Sequence, residues 1–512
     1  DVAPSRGLGD VYKRQLFLLS FFCSAIYGQE LTFAPPFTNH MVLQRDSKVC
    51  IWGSAQPHKS IVLKFQNKQT VTTSDKNGKW QLYLNDLQAG GPYKMCLRQD
   101  QDSLILNDIL VGEVWLAGGQ SNMQFRLDKE INWNKYKDSI VNKNIRYLFV
   151  PQKYYEGHTV KDSIMIWREA VKNKAKKMSA VAYFFAKQLY EKLNVPIGII
   201  CDYKGGTPAE SWISKETLIN NEKLKSIVKK YEDLNNSYSK NEYETLYNKY
   251  LNDLSAYNTS IRNGNKNIAK PTEPMGKFNY KRPYGLYETM LKPIMPYTIK
   301  GVIWYQGEAN ASRAEQYKEL FPTLIKEWRN NFNNPNMPFF FVQISNYDHP
   351  AYKTPAWAEL REAQLETWQN TPNTAMVVSI DHGTKNDIHP TYKEPIGYRL
   401  ACCALNQVYG FNNIVYSGPI FKSFKKDKNK IILYFDHIGS GLTSNGKQLN
   451  GFEICDETNK YVKAKAWIEN NSVVVMSELI SNPQKVRYGW ANYTDANLYN
   501  MEGFPASPFR IK

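Results

Sequence analysis

A chain of 512 residues is too long for one ordinary hydrophobic core, so about two or three domains are expected. Its 42% hydrophobic and 13% aromatic content fits a soluble globular protein with large cores. The net charge of +17 permits a nucleic-acid binder, but the lysines are scattered among asparagines and never form a block of like charge, which favours the plainer reading. A solvated Lys-rich surface accounts for that charge, with a weak long-range bias toward acidic glycans.

Asp1–Gln15 does not read as native sequence. Asp10–Gln15, DVYKRQ, back-translates to an adaptor end used in transposase-prepared sequencing libraries, so the stretch is expected to be an assembly artefact. Leu16–Gly28, LFLLSFFCSAIYG, fits the apolar region of a signal peptide cut before Gln29. It is too short for a comfortable transmembrane helix, and no other apolar stretch would span a bilayer. Export to the periplasm, the cell surface or the medium is the expectation. Beyond Cys23, the cysteines at 50, 96, 201, 402, 403 and 455 lack zinc-like spacing and are expected as buried free thiols.

Residues 29–107 read as all-β. Alternating runs at Ile61–Phe65, Trp80–Leu84 and Tyr93–Leu97 are separated by the turn signals Asp75–Gly78 and Ala89–Pro92. This spacing predicts a small β-sandwich. From Asp108 to Gly410 the pattern alternates between strands and helices. Strands are predicted at Val114–Ala117, Pro196–Cys201, Lys300–Tyr305, Pro338–Ile344 and Ala375–Ile380. Most are continuous apolar runs, as expected of strands buried in a parallel sheet. Helices are predicted at Val181–Leu193, capped by Ser179, and around Ala314–Phe332 and Ala356–Gln369. The fold class is therefore α/β with a mainly parallel sheet, and ligands in such sheets sit at the carboxyl ends of the strands.

Residues 214–269 interrupt that domain with helical spacing and read as an inserted antiparallel helix pair, a lid or side wall. Its tyrosine stripe, Tyr243, Tyr250 and Tyr257, is expected to pack between helices rather than to meet sugar. Residues 411–512 return to β character, with strands at Lys430–Phe435, Ala464–Glu469, Val473–Met476 and Val486–Tyr488. They form a sandwich of their own or pair back onto the first β segment; the pattern permits both.

The chemistry concentrates just past predicted strand ends. Val114–Ala117 is stopped by Gly118-Gly119, and Gln120, Ser121 and Asn122 follow at once. A rigid strand and a glycine turn are what a nucleophilic serine needs, with backbone N–H groups close by for the oxyanion. Ser121 is the candidate nucleophile; the competing reading is a helix cap. Three further pieces stand after strands: Gly205-Gly206-Thr207 with Glu210 and Trp212, then Trp304–Asn310, and then Asp387-Ile388-His389-Pro390. A Gly-Gly pair is usually a turn and a lone His is usually structural, but the four in this order are specific.

With GGQSNM at 118–123, GGTPAESW at 205–212, KGVIWYQGEAN at 300–310 and DIHP at 387–390, the chain resembles the sialate O-acetylesterase family, within the SGNH (GDSL-like) hydrolase superfamily. MVLQRD at 41–46, LYETMLKPIMPY at 286–297 and FPASPFR at 504–510 extend the likeness, whereas 214–269 carries none. The resemblance implies an SGNH-type three-layer α/β/α domain flanked by N- and C-terminal β segments. It implies an esterase that removes O-acetyl groups from carbohydrate, with acetylated sialic acid as the first substrate and acetylated xylan as the alternative. A glycan-binding protein with idle machinery is the competing class.

Under this resemblance Ser121 attacks the acetyl carbonyl and His389 is the base, since imidazole titrates in the right range. Asp387 is the candidate acidic partner. The superfamily spacing is Asp-x-x-His, yet position 386 is Asn and Asp387 stands only two residues before His389. Asp381, or a Ser–His dyad aided by a backbone carbonyl, are the alternatives, and His382 is the competing base. The oxyanion is assigned to the Ser121 N–H, a backbone N–H in Gly205-Gly206, and the Gln306 side-chain amide. Glu308 and Asn310 are expected to brace the loop, and Trp212 to be core or a wall of the acyl pocket. No metal or other cofactor is implied. The expected partner is an acetylated sugar, with no nucleic acid and no stable membrane insertion.

Overall fold

The computed structural model describes residues 30–160, 164–265, 268–348, 352 and 354–512; the expected artefact and signal peptide lie outside the described residues. One strand organises the molecule. Asp102–Gly119 runs for 18 residues and belongs to two neighbourhoods. Its first half pairs antiparallel with Gly90–Gln99, and Leu110–Gly112 lie parallel to Val42–Gln44. Its second half lies between Ile197–Tyr203 and Gly301–Tyr305, parallel to both. Phe339–Val342 and then Thr374–Val377 extend the parallel sheet on one side. Ile145–Phe149 extends it on the other, closed by the antiparallel edge strand Trp167–Glu169.

The inner strands are buried on both faces, which is why they read as unbroken apolar runs. Alternate residues divide between two cores. Trp115, Ala117, Ile199, Ile303, Tyr305 and Phe340 pack with Val181, Phe185 and Leu400, carried by the helices Ala180–Leu193 and Glu394–Gln407. Leu116, Val302, Trp304, Phe339 and Phe341 belong to the opposite cluster, with Leu320, Phe321, Trp328 and Leu360 from the helices Ala314–Asn331 and Ala356–Asn370. The sheet thus carries helices on both faces, and the carboxyl ends of its strands are left to the loops.

The expected boundary after residue 107 falls inside the long strand. The chain turns there through positive φ at Asp108, whose carboxylate pairs with Arg146 at 2.9 Å. Ile61, Leu63 and Trp80 from the first β segment share the core that holds Leu116 and Trp304. The insertion consists of Lys215–Asn220, Lys225–Ser237 and Lys240–Arg262, the last opened by a capping box between Ser239 and Glu242. Tyr243 is buried and lies 5.6 Å from Phe278, ring centroid to ring centroid.

Residues from Ile420 onward fold into two four-stranded sheets and a short two-stranded one, paired only among themselves. Ile431, Phe452, Val473, Tyr488 and Phe509 form their core, so this segment does not pair back onto the first β segment. The cysteines at 50, 96, 201, 402, 403 and 455 are free thiols, all buried except the partly exposed Cys96. Among the described residues no helix is long and apolar enough to cross a membrane.

Candidate active site

The long strand ends at Gly119 with φ of 129°, and a β-carbon there would lie 2.2 Å from the Tyr305 carbonyl oxygen. Only glycine fits such a position. The next residue is locked in place. The Gln120 N–H donates to the Tyr305 carbonyl at 2.9 Å, and Gln120 Oε1 accepts from the N–H groups of Gly307 and Ala309 at 3.4 and 3.3 Å. Ser121 then opens the short helix Ser121–Gln124. The N-cap position belongs to Gln120, so Ser121 is not a helix cap. Ser121 is half-buried, and neither its hydroxyl nor its N–H is bonded among the described residues.

The Gly205-Gly206 turn leaves the neighbouring strand Ile197–Tyr203 and is tied back by the Lys204 N–H to the Gly119 carbonyl at 3.1 Å. A β-carbon on Gly205 would lie 3.4 Å from Ser121 Cβ and 3.1 Å from Gln124 Oε1, so this turn stands directly against Ser121. The two glycines differ in what they offer. Gly205 donates its N–H to Gln124 Oε1 at 2.6 Å and has no proton left for an oxyanion. Gly206, at φ of 77°, keeps its N–H unbonded among the described residues.

Gln306 is not placed as the sequence suggests. Its side chain is fully buried, and Nε2 donates to Asn310 Oδ1 at 2.7 Å and to the Thr207 carbonyl at 3.3 Å. Its Oε1 accepts from the Tyr317 hydroxyl at 3.0 Å. Both amide protons are spent inside the protein, so Gln306 braces the Thr207 turn rather than receiving the oxyanion. Asn310 braces as expected: Oδ1 accepts from the Ala209 N–H at 2.9 Å and Nδ2 donates to Glu210 at 2.9 Å. Trp212 is core, edge-on to Trp304 with its indole N–H on Thr207 Oγ1 at 3.0 Å.

The serine turn is fastened to the histidine loop. Asn122 Nδ2 donates to the carbonyl of Ile388 at 3.0 Å, joining the residue after Ser121 to the residue before His389. The His389 side chain is 42% exposed, open to a ligand on one side. Burial of the rest holds its pKa below the ordinary imidazole value; Lys393 adds to this and Asp387 opposes it. Asp387 Oδ1 accepts the His389 backbone N–H at 2.8 Å and lies 4.0 Å from Nδ1. That separation makes Asp387 a nearby charge, not a hydrogen-bonded partner of the ring. Asp381 is occupied elsewhere, gripped by Arg399 through two bonds of 2.9 and 2.6 Å. His382 lies 3.4 Å from that same carboxylate and edge-on to Tyr392.

Sequence reasoning missed Lys393. It is fully buried at the N-cap of the helix Glu394–Gln407, and its Nζ donates to Asn122 Oδ1 at 2.6 Å. The opposite side of that amide donates to Glu308 Oε1 at 2.5 Å. Burial pushes Lys393 down to about 7 and pushes Glu308 up, and each charge resists the other's shift. The remaining oxygen of Glu308 is buried without a partner. Asn122 therefore sits between a buried cation and a buried carboxyl, which fixes the turn bearing Ser121. Nothing in the local pattern marks this lysine. A cation at the positive end of a helix is electrostatically misplaced, and that is the one signal available.

Among the described residues no group of three or more His, Cys, Asp or Glu is arranged to hold a metal ion. The loop joined through Asn122 and Ile388 thus carries an unbonded serine hydroxyl, two unbonded backbone N–H groups beside it, and an imidazole biased toward its neutral form. That set serves acyl transfer.

The comparisons agree on this class: the protein is a carboxylic ester hydrolase. The family model "Carbohydrate esterase, sialic acid-specific acetylesterase" matches residues 111–245 and 267–403, more than half of the chain, and the chain belongs to that family. The mouse (Mus musculus) sialate O-acetylesterase is 26% identical, over 94% of this chain and 94% of its own. The human (Homo sapiens) sialate O-acetylesterase is 27% identical, over 99% of this chain and 97% of its own. Among solved structures, a carbohydrate acetylesterase from Xanthomonas citri is 33% identical with a TM-score of 0.78, covering 94% of this chain and 99% of its own.

Proposed function

We propose that the chain is an exported serine esterase of SGNH type, with a three-layer α/β/α catalytic domain flanked by β-sandwich segments, that removes O-acetyl groups from carbohydrate. Acetylated sialic acid is its first substrate. Ser121 Oγ attacks the acetyl carbonyl while His389 takes its proton. The tetrahedral oxyanion is received by the N–H groups of Ser121 and Gly206. His389 returns the proton to the departing sugar oxygen, and Asp387 steadies the imidazolium by its charge. Water then attacks the acetyl-enzyme with His389 as base, releasing acetate and restoring Ser121.

The observation that carries this reading is the bond from Asn122 to the Ile388 carbonyl, which fastens the serine turn to the histidine loop. The apolar leader at Leu16–Gly28 supports export. The names of the mouse and human relatives support sialate as substrate. The Xanthomonas citri neighbour is described only as a carbohydrate acetylesterase, which keeps acetylated xylan as the second reading.

The test is hydrolysis of 4-nitrophenyl acetate by the protein and by Ser121→Ala. The variant should lose at least about 10³-fold in kcat. Equal rates would remove the esterase reading and leave a glycan-binding protein. Acetate release from acetylated sialoglycoprotein and from acetylated xylan, measured side by side, then decides the substrate.

A further inference from the structure

Beside the Gly205-Gly206 turn stands a group of residues that the acyl-transfer chemistry does not use. Lys204 is half-buried and its backbone is pinned to the end of the nucleophile strand. Its Nζ lies 5.0 Å from the ring centre of Tyr154 and 4.7 Å from that of Tyr280. Among the described residues the ammonium group has no hydrogen bond and no ion pair at contact distance, and the Tyr280 hydroxyl has no hydrogen bond. That hydroxyl lies 3.3 Å from where a β-carbon of Gly206 would be, and the Lys281 side chain 3.8 Å from the same point. So a cation and a phenol, both without hydrogen-bond partners, border the glycine whose N–H is offered to the oxyanion.

The surroundings hold this group rigid. The Tyr154 and Tyr280 rings are 5.6 Å apart, Tyr155 lies 4.5 Å from Phe278, and Tyr247 of the inserted helix lies 5.0 Å from the other side of that cluster at Phe278. Glu273 is the one acidic group that acts on Lys204, and burial raises its carboxyl to about 7 against the pull of Lys204, Lys281 and Lys270. The local balance therefore favours an anion. Half-buried tyrosine faces and hydroxyls suit a sugar ring, whose C–H faces stack and whose hydroxyls need partners. Residues 246–262 of the inserted helix fall outside the family match, so part of the support for this wall belongs to this chain.

We propose that Lys204, with Tyr154 and Tyr280, forms the subsite that receives the sugar carrying the acetyl group, and that the Lys204 ammonium selects an acidic sugar by binding its carboxylate. The proposal rests on the esterase reading with Ser121 as nucleophile. It makes Lys204 a specificity residue, since it touches the sugar and not the reacting ester.

Two measurements test it. On the unaltered protein, free sialic acid should compete with 4-nitrophenyl acetate about tenfold better than its methyl ester, because a charge-assisted hydrogen bond is lost with the carboxylate charge. Equal inhibition by acid and ester overturns the proposal without recourse to a variant. In Lys204→Met, the ratio of kcat/KM on O-acetylated sialic acid to that on 4-nitrophenyl acetate should fall about tenfold, through KM, and Lys204→Arg should restore most of it. A ratio unchanged in Lys204→Met, with a lowered melting temperature, would make Lys204 a packing residue and overturn the proposal. These outcomes stand apart from the fate of the esterase reading, which falls only if Ser121→Ala keeps the full rate on 4-nitrophenyl acetate.

Discussion

Lys393 and Asp387 act on the His389 imidazole with opposite signs. The Lys393 charge disfavours imidazolium and the Asp387 charge favours it, while burial, the largest influence, sides with Lys393. The proposed mechanism needs His389 neutral as base, so on that proposal the acid limb of kcat/KM should lie below the ordinary imidazole value of about 6.5. Asp387→Asn removes the stabilising charge and should move that limb to still lower pH. Lys393→Met removes the opposing charge and should move it up. The pH–rate profile on 4-nitrophenyl acetate reads both, and shifts in the same direction would refute the assignment. At this scale the Ser121 and Gly205-Gly206 turns stood out in the sequence, because a polar residue or a glycine soon after an apolar strand breaks a pattern that packing alone would continue. The misreading of Gln306 has a physical source. Its partners Thr207, Asn310 and Tyr317 include two from other stretches, and a residue's position cannot reveal how many bonds it spends inward. Lys393 is one of 65 basic residues, and beyond its place at a helix start its burial is what separates it from the solvated ones.

At the scale of elements, the strand–turn units were the legible part. Strands such as Ile197–Tyr203 are buried at every position, so each residue carries the signal. The polar edge strand Lys68–Thr73, KQTVTT, exposes much of its length and gave no comparable signal. The same contrast explains why a break reads after residue 107. The change from alternating to continuous apolar character records a change of neighbours along one strand, not a gap between two domains. The end of that strand is where sequence tolerance is lowest. Gly119→Ala would need φ of 129° and would press a methyl group to 2.2 Å from the Tyr305 carbonyl, which the backbone of the adjacent strand cannot yield. The expected cost is about 3 kcal/mol or more, from backbone strain and displaced sheet bonds. Thermal unfolding followed by circular dichroism measures it. A variant that melts with the wild type would show that the turn does not depend on this glycine.

The whole molecule divides by its cores. The first β segment shares a core with one face of the parallel sheet, so it is built into the catalytic unit. The C-terminal sheets have their own core, though Ile420 and Ala496 also touch the core of the catalytic unit, and polar contacts reinforce the junction. Arg361 is central among these. Fully buried, it donates to the carbonyls of Ile344 and Ser345 at 3.0 and 2.9 Å on the sheet side, and to those of Ala491 and Asn492 at 2.8 and 3.0 Å on the C-terminal side. Burial without a carboxylate partner lowers its pKa to about 9, which shows how much of its solvation these carbonyls must replace. Arg510 and Glu362 add an ion pair at 2.8 Å across the same junction, and Gln343 donates to Ser507 Oγ at 2.9 Å. Arg361→Met keeps the apolar stem but takes the donor from the carbonyls of Ile344, Ser345 and Ala491, while that of Asn492 keeps the Tyr347 N–H at 3.2 Å, at a cost of about 3 kcal/mol or more. Because the C-terminal core is separate, the loss should appear first as local opening of the junction rather than as global unfolding. Hydrogen exchange at residues 489–495 should quicken in the variant while the strand Gly301–Tyr305 stays protected. Equal quickening in both places would mean that the junction and the sheet open as one unit, and that the two cores are not energetically distinct.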